Sequence, residues 1–249
     1  MTVNDIFEFL NGIAPVNTAC DFDNAGILVG DPSAEVNGAV VALDCTASAI
    51  KTAIKNNCEL IITHHPVIFD PLKTVLTGST VFELIKSGIS VISMHTNLDI
   101  AVSGVNDCLC YALGFDNFEK RPASDGYLLN FAELDTPLSA DELARHIKEK
   151  LGGSVKFTDS GKNIKKVALC SGSGGGYVFD TAVSGCDALI TADVKHNIFI
   201  DSARLGISVF DAGHFNTEDV VTEPLTAALS ENFQNIRFYA DHFTNIKAI

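Results

Sequence analysis

Three histidines and two acids in this sequence have the residue types and spacing of metal ligands: His64, His65, Asp99, His214 and Glu218. The adjacent histidines follow a short apolar run, and each of the other positions lies at or just beyond a later apolar run. If a helix opens at His214, Glu218 four residues later points the same way. Three imidazoles and two carboxylates suit Zn, Mn or Fe(II) better than calcium. Neighbouring side chains on an extended strand point in opposite directions, so the pair suits two metals, or a turn, better than one chelate.

The elements that must position these residues alternate between short apolar runs and helix-like stretches. Several runs are apolar at consecutive positions, as expected of strands covered on both faces. Helices have recognisable ends, such as the capping box of Ser139 and Glu142. This alternation predicts an α/β fold. The predicted strands are Val40–Asp44, Leu60–His64, Ser90–His95, Tyr127–Leu134, Ser154–Thr158, Lys166–Ser171, Ala188–Asp193, Ser208–Gly213 and Ile236–Ala240, and the predicted helices are Ala47–Asn56, Thr80–Ser87, one from Ser139 to Gly152, and Lys195–Leu205.

Composition excludes several functional classes. The 249 residues carry a formal net charge of −14, which argues against a general nucleic-acid binder. Hydrophobic residues make up 47% and charged residues 19%, so the chain is not disordered. No apolar run is long enough for a membrane helix, and residues 1–10 lack the basic start of a signal peptide. The seven cysteines are odd in number and mostly lie in apolar runs, which suggests reduced buried thiols, so we expect a cytoplasmic protein.

An internal repeat is the most informative feature of the organisation. Three pairs of similar segments occur in the same order: VALDC with VALC, CELIIT with CDALIT, and GISVISMHTNLD with GISVFDAGHFNTE, at 41–45 and 167–170, 58–63 and 186–191, 88–99 and 206–218. They predict two similar α/β lobes from an internal duplication, at residues 1–120 and 121–249. The polar, unpatterned segment Asp116–Gly126 is the expected boundary. Because each copy keeps only part of the ligand set, we expect the site where the strand ends of the two lobes face each other.

Four other features are weaker candidates. His95 and His196 sit at or just beyond a strand end and could be catalytic proton-transfer groups or could support a ligand; structural roles are equally open. Asp44 could orient a metal-bound water, although capping the next helix is the simpler interpretation. The glycine-rich stretch Ser171–Gly176 could cradle a phosphate, but it lacks the P-loop lysine, and a tight structural turn is favoured.

Several segments resemble the NIF-three-like family, whose members are usually named GTP cyclohydrolase 1 type 2 homologues. These segments are FDNAGILVG, IITHHPVIF, MHTNLD and DAGHFNTE, at 22–30, 61–69, 94–99 and 211–218, and the resemblance runs from Asn4 to the C-terminus. The chain departs from the family pattern at three positions. Phe22 stands where Trp is common, Ala192 where Gly is common, and Asn197 where a second histidine often follows His196.

The resemblance implies a site and an assembly. His64, His65, Asp99, His214 and Glu218 match the positions that hold two divalent metals, with Glu218 as the bridging ligand. It also implies the NIF-three-like fold of two similar α/β lobes, assembled as a toroidal homohexamer whose metal sites face an inner cavity.

Two functional hypotheses follow. The first is a di-metal hydrolase that uses two Zn, Mn or Fe ions to attack a C–N or P–O bond with water, in a small and nucleotide-like substrate. The family name implies opening of the guanine ring of GTP, although no residue here selects guanine. The alternative is a metal-dependent ring-forming scaffold that binds a ligand or partner without turnover.

Overall fold

A computed structural model describes residues 1–247 and contains eleven strands and ten α-helices in these residues. The strands are β1 Gly26–Val29, β2 Gly38–Ala42, β3 Leu60–Thr63, β4 Ser90–Ser93, β5 Phe118–Pro122, β6 Leu128–Leu138, β7 Lys156–Phe157, β8 Ile164–Leu169, β9 Ala188–Thr191, β10 Ser208–Asp211 and β11 Arg237–Asp241. The helices are α1 Val3–Ile13, α2 Ala47–Lys55, α3 Thr80–Ser87, α4 Thr96–Ile100, α5 Val105–Ala112, α6 Ala140–Leu151, α7 Val178–Val183, α8 His196–Leu205, α9 His214–Glu218 and α10 Thr222–Asn232.

The chain forms two compact units. The first contains Met1–Val102 and Val221–Asn245, and the second contains Ser103–Val220 with residues 246–247. The chain therefore returns to the first unit for α10 and β11. Whether the repeats are 1–120 and 121–249, with a boundary near residues 116–126, stays a prediction.

The sheet of the first unit has the order β1-β4-β3-β2-β11. Its strands β4, β3, β2 and β11 are parallel, and β1 runs antiparallel to β4 at the edge. Leu60, Ile61 and Ile62 on β3 are all fully buried, which explains why this strand reads as a continuous apolar run. Side chains of α2 and α3 pack with β2, β3 and β4 in one apolar cluster.

The sheet of the second unit has the order β5-β6-β8-β9-β10-β7, with β8, β9 and β10 parallel and the remaining pairs antiparallel. Both faces are covered, since Val167 and Leu169 pack with α5 and α6 while Ala168 packs with α7 and α8. In each sheet three parallel strands stand in the same order, β2-β3-β4 and β8-β9-β10, with an antiparallel strand beside the third. These are the strands of the three repeated segments, so the duplication is plausible.

All nine predicted strands and all four predicted helices are present, with ends shifted by a few residues. Ser139 and Glu142 form the predicted capping box, and Thr46 caps α2 by accepting from two backbone amides. The segment Asp116–Gly126, which has no hydrophobic pattern in the sequence, contains a strand that was not predicted, β5 at residues 118–122. Only Phe118 and Lys120 of this edge strand are partly buried, so it leaves no apolar run in the sequence.

Two further observations bear on the expected class of protein. All seven cysteines lie in the described residues and are free thiols, and five of them are buried. Burial, with the neighbouring charge of Asp44, raises the pKa of Cys45 to about 12, so this thiol does not ionise near neutral pH. Within residues 1–247, none of the helices has the length and apolar character that a bilayer span requires.

Candidate metal centre

In the first unit, three imidazoles gather where neighbouring parallel strands end. His64 and His65 directly follow β3, and His95 follows β4 and opens α4. Their ring centroids are 5.0, 5.1 and 5.6 Å apart, and one nitrogen from each ring lies within 4.8 Å of the others. Carboxyl ends of parallel strands are the usual ligand crevice of an α/β sheet. The sheet therefore brings together side chains that are 30 residues apart in sequence.

The adjacent histidines do not point in opposite directions, because the strand ends one residue before them. The Thr63 hydroxyl donates to the His65 carbonyl at 2.8 Å and also shares a hydrogen bond with the Ser93 hydroxyl. This bend turns the two rings to 42° from each other. The sequence alone did not decide whether a turn follows this strand. The structure has such a turn, and both rings face the same cluster.

Each of the three rings is held through its Nδ1 atom. His64 Nδ1 is 2.9 Å from the Met94 carbonyl, His65 Nδ1 is 2.7 Å from Asp44 Oδ1, and His95 Nδ1 is 2.8 Å from Asp23 Oδ1. A carbonyl or an ionised carboxylate only accepts hydrogen bonds, so Nδ1 carries the proton in each ring. The lone pair of each neutral imidazole then lies on Nε2. Partners of this kind fix the tautomer and orientation of histidines that bind metals.

Asp23 is the most strongly held of these partners. Its buried carboxylate accepts hydrogen bonds from the Thr96 amide and hydroxyl as well as from His95. Burial raises the pKa of Asp23, but the hydrogen bonds that its carboxylate accepts from His95 and Thr96 outweigh this effect. Its pKa therefore lies well below the ordinary range of an aspartate. The ring of His95 is thereby anchored to the connection before β1.

Asp99 supplies a carboxylate in the same unit. It lies on α4 and is buried, and its Oδ1 is 3.5 Å from His64 Nε2. The short helix α4 turns this carboxylate back toward the histidines that follow β3. The first unit thus provides His64, His65 and Asp99 of the predicted ligands, with His95 beside them.

The second unit holds the remaining two predicted ligands at the two ends of α9. His214 Nε2 is 2.9 Å from Glu218 Oε2, as predicted for residues four apart on a helix. His214 Nδ1 is 2.7 Å from Asp193 Oδ2, so this ring also carries its proton on Nδ1. Asp193 follows β9 and has a φ of +49°, a strained conformation for a non-glycine residue. Glu218 is only 4% exposed.

The glycine-rich segment is a tight turn packed against Glu218. Gly172 has a φ of +57°, and a Cβ atom at this position would overlap Glu218 Oε1. The amides of this turn are already used inside the unit: Ser171, Gly172 and Gly174 donate to Asn106 Oδ1, Thr217 Oγ1 and Thr191 Oγ1. These contacts favour the structural interpretation over the phosphate cradle.

Two other predicted residues have different surroundings. Asp44 does not cap α2, because Thr46 does so; the capping interpretation is wrong, and Asp44 instead holds His65. His196 is exposed at the first position of α8. Sequence reasoning missed Asp23 and the supporting role of Asp193. The sequence does hold a signal for Asp193, because an aspartate precedes a ligand-candidate histidine by 21 residues in both repeats. The pairs are Asp44 with His65 and Asp193 with His214, and each joins the ends of neighbouring parallel strands.

The donor set fits a transition metal. His64, His65 and His95 carry the proton on Nδ1 and present Nε2, and His214 turns Nε2 toward Glu218. The carboxylates of Asp99 and Glu218 are buried in a chain with a large excess of acids. Buried carboxylates are stable when they are paired or coordinate a cation. Imidazole with carboxylate is the ligand combination of Zn, Mn and Fe sites. These clusters could therefore bind metal.

Comparisons with known proteins agree with the resemblance noted in the sequence. The family model described as Duf34/NIF3 (NGG1p interacting factor 3) matches residues 1–247. The chain is 36% identical over 228 residues to a GTP cyclohydrolase 1 type 2 homolog of Clostridium perfringens, covering 88% of this chain and 87% of the relative. A relative with the same name from Campylobacter jejuni is 33% identical over 236 residues, covering 92% of each chain.

Solved structures of similar proteins share the fold of this chain. A hypothetical protein of Staphylococcus aureus superposes with a TM-score of 0.93 at 28% identity, covering 100% of this chain and 99% of that one. Reduced HcgD from Methanocaldococcus jannaschii superposes with a TM-score of 0.84 at 29% identity, covering 98% of each. The predicted family and fold are confirmed, and the chain belongs to the Duf34/NIF3 family.

Proposed function

We propose that this protein binds two divalent transition-metal ions and hydrolyses a small, nucleotide-like substrate. The proposed ligands are His64, His65, Asp99, His214 and Glu218. The observation that carries the proposal is the hydrogen bonding of the three ligand histidines. Each donates Nδ1–H to a carboxylate or carbonyl within 2.9 Å, so Nε2 is the nitrogen that would bind a metal. A purely structural histidine needs no such uniform tautomer.

The chain's own residues have separate tasks in this proposal. Asp44 and Asp193 orient two ligand imidazoles, and the turn at Gly172 positions the Glu218 carboxylate. When bound, divalent metals polarise the scissile bond and make water a stronger nucleophile near neutral pH. The Nδ1 atom of His95 is bonded to Asp23, so its Nε2 atom faces the histidine cluster. We propose that His95 transfers a proton at Nε2. His196 is a second proposed proton-transfer residue.

The substrate class rests on the printed names of the relatives. These relatives are named GTP cyclohydrolase 1 type 2 homologs, which favours a nucleotide with a C–N or P–O bond as the site of hydrolysis. Zn, Mn and Fe all suit the donors. A homohexamer and a cytoplasmic location remain proposals from the family resemblance and the cysteine content, and light scattering on the purified protein tests the first.

Metal-dependent hydrolysis across a panel of nucleotides and phosphoesters tests the proposal. Glu218→Gln keeps the size of the side chain but removes its charge, and we expect it to abolish turnover and to release metal. Glu223→Gln is a matched control, because Glu223 also pairs with a histidine at 2.9 Å but lies at an exposed position. Tight ligand binding by the metal-loaded wild type without turnover of any panel member would instead support the scaffold hypothesis.

A further inference from the structure

Two phenylalanine rings are exposed beside the histidine cluster of the first unit. Phe22 is 66% exposed and Phe69 is 46% exposed. Their ring centroids are 6.3 Å apart, and the Phe69 ring is 6.2 Å from the His95 ring, edge to face. The two apolar rings and the imidazole thus form one continuous surface, which we call the aromatic platform (Phe22, Phe69 and His95).

Hydrogen bonds of the residues next to Phe22 hold the platform in place. Phe22 is followed by Asp23, whose carboxylate is bonded to His95 and Thr96, and then by Asn24. The Asn24 side-chain amide donates to the Ile68 carbonyl at 2.6 Å, which ties the segment of Phe22 to that of Phe69. Both phenylalanines are therefore presented by anchored backbone. Anchoring lowers the entropy that a ligand would have to overcome on binding.

Exposing two phenylalanine rings is unfavourable unless something covers them. Burying a phenylalanine side chain is favourable relative to leaving it in water. The exposed parts of the two side chains amount to roughly 200 Å², well below the approximately 800 Å² per partner of a stable protein interface. An area of this size matches the face of a planar ring. Aromatic side chains stack such rings irrespective of base identity.

We propose that the aromatic platform binds a planar heteroaromatic ring of the substrate, with Phe22 and Phe69 against its face and His95 at its edge. That the ring belongs to the substrate rests on the proposed function; the platform itself does not. It adds a substrate-binding site to the metal ligands and defines the substrate class by its ring. Selection of a particular base is not part of the proposal, because stacking accepts any planar ring.

Calorimetry on the full chain tests the platform, as purified and after chelator treatment. The probes are GTP, ATP and FMN, with inorganic triphosphate as the probe without a ring. We expect Phe22→Leu and Phe69→Leu each to weaken binding of a ring-containing probe about 10-fold, since stacking contributes roughly 1–3 kcal/mol per base. Triphosphate binding should not change. Phe243→Leu is the control, because Phe243 is 45% exposed on the same unit.

Fluorescence gives a second readout that does not depend on activity. The sequence contains no tryptophan, so Phe22→Trp introduces a single reporter on the platform. A stacked ring should quench this reporter at low probe concentration, whereas Phe243→Trp should show only the weak collisional quenching of an exposed indole.

Three results would overturn the platform. The first is that the wild type binds no ring-containing probe more tightly than triphosphate. The second is that the two leucine variants bind all probes as the wild type does. The third is that the variants change the oligomeric state while their affinity for the probes stays constant. Failure of the proposed function has a different signature. In that case the protein lacks metal or turnover, while ring binding persists after chelator treatment.

Discussion

Replacing Gly172 by alanine is a sharp perturbation of the proposed centre, because it acts on Glu218 without removing any ligand. A Cβ atom at this position would overlap Glu218 Oε1, lie 3.0 Å from the carboxylate carbon Cδ, and lie 3.4 Å from His214 Cε1. To reach a normal carbon–carbon separation, the carboxylate carbon must retreat by about 0.5–1 Å, and the overlapped oxygen must move farther. Functional geometry tolerates displacements of about 0.5 Å.

The substitution has two separable effects. The left-handed backbone at φ +57° costs an alanine roughly 1–2 kcal/mol of unfolding free energy. The displaced carboxylate should weaken metal binding by about 10-fold to 100-fold, the range observed when groups that orient ligands are lost. Gly161→Ala is the matched control, because Gly161 has a φ of +73° with open space around the added Cβ.

Urea unfolding and competition with a fluorescent chelator measure the two effects independently. We expect both alanine variants to be less stable than the wild type and only Gly172→Ala to bind metal more weakly. Equal metal affinity in the wild type and both variants would refute the reasoning that the turn positions Glu218 for a metal.

Three further predictions concern the groups that support the site. Asp44→Asn and Asp193→Asn should each lower metal affinity about 10-fold to 100-fold in a chelator competition. Asp31→Asn, whose carboxylate bonds to the local Ser33, should not. Because the pKa of Asp23 is lowered by folding, its stabilisation is complete above about pH 4 and is lost as the pH falls. Wild type should thus lose more stability than Asp23→Asn between pH 5 and pH 3 in urea unfolding; equal losses would contradict this. Asn106→Ala should destabilise the chain by about 1–3 kcal/mol, because it leaves the buried Ser171 amide without its acceptor, and an unchanged urea midpoint would count against that contact.

The central strands were predictable because burial on both faces leaves consecutive apolar residues, as in β3 and β9. The edge strand β5 was not, since it carries charged, exposed side chains. Helix α5 was hidden for another reason. Asn106 and Asp107 are buried on it, so its apolar face does not stand out in the sequence.

The proposed ligands were also easier to predict than the residues that hold them. Histidine pairs and a Gly-His-x-x-x-Glu pattern are local signals, and the structure places them at strand ends as expected. The bond between Asp23 and His95 joins residues 72 positions apart through a connection without regular structure. A single sequence holds no periodicity for such a contact, because tertiary packing alone brings the two side chains together.

Anomalous diffraction at metal absorption edges, from crystals of protein purified without chelator, tests the central claim most directly. We predict two peaks per chain, each about 2 Å from Nε2 of a ligand histidine, because Nδ1 of every ligand ring is already bonded. The absence of any peak after soaking with Zn, Mn or Fe, or a metal bound at Nδ1, would contradict the account.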